Sequence, residues 1–369
     1  MSGFAFASEY TVGLEEELLL VDPTTLQLAP VSSGVLGRMQ TPADAAGHEA
    51  YASQIELRSP PSDSAAEAVA ALAEGRSAAL AAGATLVGSG LHPTGRFGDA
   101  QLVPTDRYAR VAAEMRGILR RTPESALHVH VGMPDGESAV RAFNALRRQI
   151  PLLLGLSANS PWWFGADSGL ASARHALVQA YPGRGIPEAL RDLADAERRV
   201  AAVLDVAGVP EPTFLWWDLR LHPAHGTVEV REMDAQSSLE STAALAALVR
   251  SIALEAQESR GAPLEASELL DWSAFRAARD GTDAAILDEG RLRPLRQVAV
   301  DAVARLGPLA RQAGDADALE GVARILEHGG GAGRRRAAYA RGGIGEILRT
   351  LVAETADVSV ARSRAGLRA

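Results

Sequence analysis

Four short segments of the sequence carry acidic, imidazole or guanidinium side chains at two-residue spacing, in the alternating pattern of β-strands. Glu15 and Glu17 lie in the first segment, and His128 and His130 lie in the third. Side chains two residues apart in a strand point to the same face, so each pair presents two ligand groups side by side. Neighbouring carboxylates repel each other unless a cation or water lies between them. Glutamate oxygens with imidazole nitrogens suit a divalent cation such as Mg²⁺ or Mn²⁺.

The fourth segment, residues 216–234, predicts a hairpin with one apolar face and one ionic face. With a four-residue loop between its strands, Arg220 lies opposite Glu229. The same register places Asp218 opposite Arg231. A solvated strand face would show the same alternation, so this hairpin taken alone does not establish a site.

The second segment, residues 53–59, repeats the pattern and places Glu56 on its polar face. Each segment alone has an ordinary explanation, because paired acids also occur on edge strands and an H-x-H pair also occurs on half-buried strands. Glu16 departs from the pattern, since it points with the leucines of its strand. The recurrence of one polar face in four strands is the observation that favours a shared site.

Composition excludes several kinds of chemistry. The chain has 369 residues, is 47% hydrophobic and contains no Cys. It also contains no Lys, which excludes a Walker-type phosphate loop and a Schiff-base enzyme. A net charge of −9 argues against nucleic acid as the main partner. The absence of a long apolar run argues against a membrane span, and the N-terminus lacks a basic secretory start, so we expect a cytoplasmic protein.

The polar segments are separated by stretches with helical patterns, and most of the sequence after residue 237 is helical in pattern. Among these stretches, one helix is expected from residue 136 to about residue 149 and another from residue 188 to residue 207. These features predict an α+β fold, with an antiparallel sheet whose apolar side is covered by helices. Two segments are ambiguous. Residues 157–174 lack periodicity, as expected for a lid, a substrate wall or a poorly ordered loop. Residues 328–336 join glycines to three arginines, which suits either a flexible interhelix loop or an anion-binding loop.

Seven motifs in this order resemble the carboxylate–amine ligases of the glutamate-cysteine ligase type 2 (YbdK-like) family, part of the glutamine synthetase superfamily. The resemblance covers nearly the whole chain and implies a single catalytic domain over residues 1–369. It also implies a curved antiparallel sheet with helices on its convex side and an ATP and metal site on its concave face. The motifs are GLEEELLLVDP, QIELRSPPS, LHPT, LHVHVGMPD, SANSPWWFGADSGLASAR, WWDLRLHPAHGTVEVREMDAQ and GGGAGRRRA.

The resemblance implies roles for the metal ligands. Glu15 and Glu17 look like paired ligands divided between two Mg²⁺ (or Mn²⁺) sites, and Glu56 looks like a further ligand. His128 resembles a metal-binding histidine, and Glu229 resembles the metal-binding member of an E-x-R pair.

The resemblance also implies residues that hold the nucleotide. His130 is expected near the ATP phosphates. Arg231 and Arg220 resemble catalytic phosphate clamps, and Arg335 in the glycine–arginine motif is expected to bind the cofactor. One departure is Asp271, where relatives usually have Asn before a Trp, and it leaves the acceptor substrate open.

The implied reaction begins with phosphorylation of a substrate carboxylate by ATP, and an amine then displaces phosphate to form an amide. Small-molecule carboxylates and amines are therefore the expected partners, with weak glutamate–cysteine ligase activity; oligomeric state is left open. Two alternatives are a two-metal hydrolase and a non-catalytic protein that binds a metal or nucleotide. The hydrolase would not need so many arginines directed at the same face.

Overall fold

The structure is a computed structural model that describes residues 5–6, 10–258 and 264–359. The strands in this part of the chain are β1 (Val12–Leu20), β2 (Ala46–His48), β3 (Gln54–Arg58), β4 (Leu86–Val87), β5 (Ala126–Gly132), β6 (Trp162–Trp163), β7 (Ala166–Asp167), β8 (Leu219–His222), β9 (Thr227–Asp234), β10 (Ala285–Asp288) and β11 (Arg291–Pro294). The α-helices are α1 (Ser32–Leu36), α2 (Ala65–Ala81), α3 (Asp106–Met115), α4 (Gly136–Ser157), α5 (Ala173–Val178), α6 (Leu193–Ala207), α7 (Leu239–Glu258), α8 (Ser267–Asp280), α9 (Leu295–Gln312), α10 (Ala316–Leu319), α11 (Gly321–Glu327) and α12 (Gly330–Ala356). Short 3₁₀ turns occupy Arg116–Arg120, Pro212–Phe214 and Gly281–Asp283.

The main sheet is antiparallel, with strand order β2-β3-β1-β5-β9-β8, and β4 pairs with the end of β1. Helix α2 packs on β1 and β3, α4 packs on β8 and β9, and α7 packs on β5. All three helices cover the same apolar face, which confirms the predicted α+β class. The other face of the sheet carries the ionic side chains and is called the polar face below.

Alternation within the strands separates the two faces. Leu14, Leu57, Val129 and Val230 are completely or almost completely buried in the core between the sheet and the helices. The central helix α7 is buried almost all round, because its many alanines let the surrounding elements approach closely. Burial of this extensive apolar surface is the main stabilising contribution, at about 25 cal/mol per Å² removed from water.

Glu16 points into the apolar side, as its position in the pattern predicts, and it is fully buried. Its carboxylate accepts two hydrogen bonds from Arg76 of α2, which is also fully buried. Arg76 donates in addition to the carbonyls of Gln236, Ser237 and Thr355, at 2.8, 2.8 and 3.1 Å. A buried charge is tolerated only when it is paired and hydrogen-bonded. Each of the three guanidinium nitrogens of Arg76 donates to at least one acceptor.

A β-bulge interrupts the pairing of β5 with β9. Leu127 pairs with Met233, but Val129 pairs with Val230, so Arg231 and Glu232 together lie opposite His128. The extra residue reverses the alternation of β9 beyond that point. Glu232 and Asp234 consequently leave the apolar side, while Met233 enters the core.

Several predicted boundaries are wrong. Helix α4 was expected to end near residue 149, but it continues through Pro151 to Ser157, because packing against α7 and α8 outweighs the missing amide hydrogen bond. Helix α6 begins at Leu193, whereas the pattern predicted a start at residue 188.

The structure also shows which elements the two ambiguous segments form. Residues 329–336 form no extended loop: Gly329 has a left-handed conformation with φ 67°, and α12 begins at Gly330. Residues 157–174 contain β6 and β7, and their first part is anchored at Asp234, which accepts from the Asn159 amide and the Ser160 hydroxyl at 2.8 and 2.7 Å. Among the described residues, no helix has both the length and the apolar character needed to cross a bilayer.

Candidate active site

A cavity of about 520 Å³ opens on the polar face of the sheet. Its walls come from β1, β3, β5, β8 and β9, and from α3, α5 and the segments on either side of them. Six of the residues singled out in the sequence line this cavity: Glu15, Glu17, Glu56, His128, Arg220 and Arg231. Strand pairing explains their proximity, because Glu15 is directly opposite His128 and Glu17 is directly opposite Glu56.

His130 and Glu229 lie behind the lining residues, paired with each other across β5 and β9. His130 Nε2 lies 3.6 Å from a Glu15 oxygen and 3.9 Å from a Glu229 oxygen, and its Nδ1 is 3.0 Å from the Thr227 hydroxyl. His128 Nδ1 lies 3.1 Å from Glu15. The two imidazoles therefore bracket Glu15 from the same strand face.

Three overlapping groups of side chains bring their ligand atoms within 4.8 Å of one another. Two contain Glu15, and the third contains Glu49, which the sequence analysis did not identify. Glu49 directly follows β2 in a loop and has no periodic pattern to mark it; its neighbour in sequence, His48, is the last residue of that strand. The groups are Glu15–Glu56–His128, Glu15–His130–Glu229 and Glu17–Glu49–Glu56.

The carboxylates of the third group are held close together in a buried environment. Burial raises the pKa of Glu17 to about 7, against the opposing charge of Arg174. Burial, together with the neighbouring charge of Glu15, raises the pKa of Glu56 to about 8. Burial and the charge of Glu17 likewise raise the pKa of Glu49 to about 7. In the absence of a cation, these groups therefore retain protons near neutral pH.

Next to His128 and His130 the carboxylates behave differently, because their pKa values are lowered and not raised. Burial acts to raise the pKa of Glu15, but hydrogen bonding with His128 and His130 holds it well below its usual range. Burial, together with the charge of Arg231, lowers the pKa of His128 to about 4, so this imidazole is neutral and able to act as a ligand. Burial also opposes ionisation of Glu229, but Arg231 and His130 hold its pKa well below the ordinary value.

The hairpin of β8 and β9 has the predicted register. Arg220 pairs with Glu229, and the Arg231 amide donates to the Asp218 carbonyl at 2.8 Å. The Glu229 carboxylate is fully buried and accepts from both Arg220 and Arg231. The side chain of Asp218 is turned to Arg184 instead, at 2.9 Å.

A second ionic network lies beyond the bulge, and sequence analysis did not detect it. Arg184 binds Glu232 at 2.6 Å and Asp218 at 2.9 Å, and His175 also contacts Glu232. The signal for the bulge was the pair of adjacent charges, Arg231 and Glu232, after which the alternating pattern changes phase.

Arg335 is the one predicted site residue that, among the described residues, neither lines the cavity nor contacts the side chains that line it. It is almost fully buried in α12 and pairs with Glu354 of the same helix, across the bend at Gly342–Gly343. Asp271 also lies outside the lining; its carboxylate accepts from the Ile186 amide at 3.3 Å.

Comparison with known proteins identifies the family. Residues 11–354 match the sequence model of Glutamate-cysteine ligase family 2. "Putative glutamate--cysteine ligase 2-1" of Rubrobacter xylanophilus is 38% identical over 345 residues, covering 91% of this chain and 92% of the relative. "Glutamate--cysteine ligase" of Halobacterium salinarum is 35% identical over 297 residues, covering 77% of this chain and 82% of the relative.

Among solved structures, the glutamate–cysteine ligase of Francisella tularensis in complex with AMP has a TM-score of 0.66. It covers 99% of this chain and 94% of its own, with 13% sequence identity, so it supports the fold. The resemblance seen in the sequence is confirmed, and the chain belongs to glutamate-cysteine ligase family 2, a family of carboxylate–amine ligases.

Proposed function

We propose that this protein uses ATP to phosphorylate a substrate carboxylate and then joins the resulting acyl group to an amine. The observation that supports it best is the polar face itself, where three carboxylate-rich groups lie against two arginines that share one glutamate. Phosphoryl transfer depends chiefly on positioning and on neutralising charge, which divalent cations and arginines provide.

The donor set fits hard divalent cations. Each of the three groups supplies carboxylate oxygens, two of them add one imidazole, and the chain has no thiolate. Burial, together with the charges of neighbouring carboxylates, raises the pKa values of Glu17 and Glu56, and a bound cation would replace the protons that these groups retain. We therefore assign Mg²⁺ or Mn²⁺ to ligands drawn from Glu15, Glu17, Glu49, Glu56, His128, His130 and Glu229. The bound cations would neutralise charge on the transferring phosphoryl group.

Arg220 and Arg231 are the proposed phosphate-binding residues. Each is held at one end by Glu229, yet Arg220 Nη1 and Arg231 Nε are buried without a hydrogen-bond partner among the described residues. A planar guanidinium fixed at one edge presents its other N–H groups in a defined direction, which suits binding of phosphate oxygens. Arg335 is left out of this group because it does not line the cavity.

The proposed chemistry needs no protein nucleophile. A carboxylate oxygen of the donor attacks the γ-phosphorus of ATP, the bond to the bridging oxygen breaks, and ADP leaves. The unprotonated amine then attacks the acyl carbon, inorganic phosphate leaves, and the nitrogen loses a proton to give the amide. The protein supplies binding, orientation and charge neutralisation, which agrees with a chain that lacks Cys and Lys.

The names of the relatives suggest glutamate and cysteine as the first substrates to test. We further propose that residues 1–369 act as one catalytic domain, since the family match spans residues 11–354 and all the proposed ligands come from one sheet and its adjoining loops. A reaction that consumes ATP is also consistent with the expected cytoplasmic location.

The decisive experiment measures ADP release with panels of carboxylates and amines in the presence of Mg²⁺ or Mn²⁺, with amide products identified by mass spectrometry. Amine-dependent ADP and a matching amide are the expected result. Metal-dependent hydrolysis of a substrate without ATP would favour a two-metal hydrolase. Nucleotide binding by calorimetry with no turnover across the panels would favour a non-catalytic protein.

A further inference from the structure

Helix α8 exposes a pair of aromatic side chains on the surface of the molecule. The helix packs on α4, and its residues Leu270, Ala274 and Ala277 are buried. On its other side Trp272 is 70% exposed and Phe275 is 39% exposed, and their rings meet edge to face with centroids 6.3 Å apart. Single exposed apolar residues are ordinary, but a contiguous exposed apolar patch marks an interaction surface.

Charged residues of opposite sign lie at the two ends of this aromatic pair. Glu268 is in the first turn of α8 and Arg279 is in its last turn, and both are exposed. At 3.6 residues per turn, Glu268, Trp272, Phe275 and Arg279 lie within about 60° of one another around the helix axis. They therefore form one line of side chains, called the α8 stripe below, that runs from an acid through two aromatic rings to a base.

The α8 stripe is complementary to itself. Trp272 and Phe275 are equally far from the point between residues 273 and 274, and Glu268 and Arg279 are also equally far from it, at about 8 Å on either side. A two-fold axis at this point places the same helix of a second copy antiparallel, with Trp272 against the second Phe275 and Glu268 against the second Arg279. Each contact then occurs twice. A parallel arrangement would bring like charges together at both ends of the stripe.

We propose that the α8 stripe is a contact surface between two copies of this chain, packed antiparallel about a two-fold axis. The aromatic centre supplies most of the affinity, because desolvated aromatic residues at the centre of an interface contribute most. The charged ends mainly set the orientation, since exposed ion pairs contribute little energy. Arg279 already contacts Asp280 at 2.7 Å, so the Glu268 of the second copy shares that guanidinium. One helix pair is a small interface, and we expect a dissociation constant in the micromolar range.

Sedimentation velocity at protein concentrations from about 1 to 200 μM tests the surface without requiring any activity. The parent should pass from monomer to dimer within this range. Trp272→Ser should weaken association at least about 30-fold, because it removes the aromatic centre from both copies. Val206→Ser is the matched control, because Val206 is 90% exposed but lies on α6, and this variant should associate like the parent. A parent that stays monomeric throughout, or a Trp272→Ser variant that dimerises like the parent, would overturn the proposal.

Charge reversal at the ends of the stripe tests the antiparallel arrangement itself. Glu268→Arg and Arg279→Glu should each weaken self-association at least about tenfold, because the two-fold axis turns one reversal into two repelling pairs. An equimolar mixture of the two variants should dimerise again, because each reversed residue then faces an opposite charge on the other chain. Recovery in the mixture also shows that both variants are folded. Glu74→Arg, at an exposed position of α2, is the control and should associate like the parent. A mixture that remains monomeric would refute the antiparallel contact.

Discussion

Replacement of Glu229 by Gln tests whether the carboxylate on the polar face contributes to turnover as well as to the stability of the fold. Glu229 is fully buried and shares its carboxylate between Arg220 and Arg231. Glutamine keeps the size but removes the charge, so two buried guanidinium groups lose their common counter-ion. Removal of one partner from a buried ion pair costs about 3–5 kcal/mol.

The corresponding change in melting temperature follows from the chain length. At about 2.1 cal/mol/K per residue, 369 residues give an unfolding entropy of about 0.8 kcal/mol/K. Glu229→Gln should therefore melt about 4–6 °C below the parent and remain folded at 25 °C. Because Glu229 is also a proposed metal ligand beside both phosphate-binding arginines, ADP release at 25 °C should fall by about 100- to 1000-fold.

Glu16→Gln is the matched control for this experiment. Glu16 is also a fully buried glutamate that accepts two hydrogen bonds from an arginine, Arg76, but it lies on the opposite side of the sheet from the cavity. It should show a similar loss of melting temperature with little loss of ADP release. Circular dichroism melts and a coupled ADP assay give both quantities. Near-parental turnover of Glu229→Gln, or equal loss of turnover in both variants, would refute the reasoning.

Three other changes test separate parts of the structure. Arg231→Lys should melt close to the parent while ADP release falls about 100-fold, because the charge is kept but the planar guanidinium is lost. Unchanged turnover would show that Arg231 is an ordinary polar residue of the strand with no role in phosphate binding. Metal affinity measured by calorimetry should rise from pH 6 to pH 8.5, because the cation displaces protons from Glu17 and Glu56, whose pKa values are raised to about 7 and about 8; a flat profile would contradict this. Over the same pH range the metal-free protein should lose stability, since the folded state holds protons that the unfolded chain has released. Gly88→Ala should lower the free energy of unfolding, measured by urea titration, by about 1–3 kcal/mol, because the added Cβ would lie 2.2 Å from the Gln236 carbonyl oxygen. Gly117→Ala is the control and should leave the free energy of unfolding nearly unchanged, because nothing lies within 4 Å of its added Cβ.

The sequence predicted the polar face because successive side chains of a strand point to opposite sides of the sheet. Glu15, Glu56, His128 and Glu229 could be placed on one face before any coordinates, and the register that opposes Arg220 to Glu229 is confirmed. Glu16 also followed the pattern, although its partner Arg76 could not be predicted. That contact depends on how α2 packs over the sheet, which local spacing does not determine.

Other parts of the site could not be predicted, for physical reasons that differ from residue to residue. Glu49 and Arg184 lie in segments without periodicity, so their arrival at the cavity is a consequence of tertiary packing. Glu232 was missed because a bulge changes the phase of β9 within the strand. The glycines of the motif that contains Arg335 suggested a loop, but they begin a long helix, and the cofactor-binding role of Arg335 stays a prediction. The metal and nucleotide roles of the individual residues stay predictions.

The hydrogen bonds of Arg76 also bear on the order in which the protein is made. They link α2 to Glu16, to the carbonyls at 236 and 237, and to Thr355 near the end of α12, 279 positions along the chain. A chain emerging from the ribosome at about 5–20 residues per second needs about 14–56 s between the synthesis of Arg76 and that of Thr355. During that interval the buried guanidinium lacks one of its acceptors, and β1 lacks the helix that completes its surroundings. The packing around the main sheet is therefore completed late in synthesis, although all of its strands lie within residues 12–234.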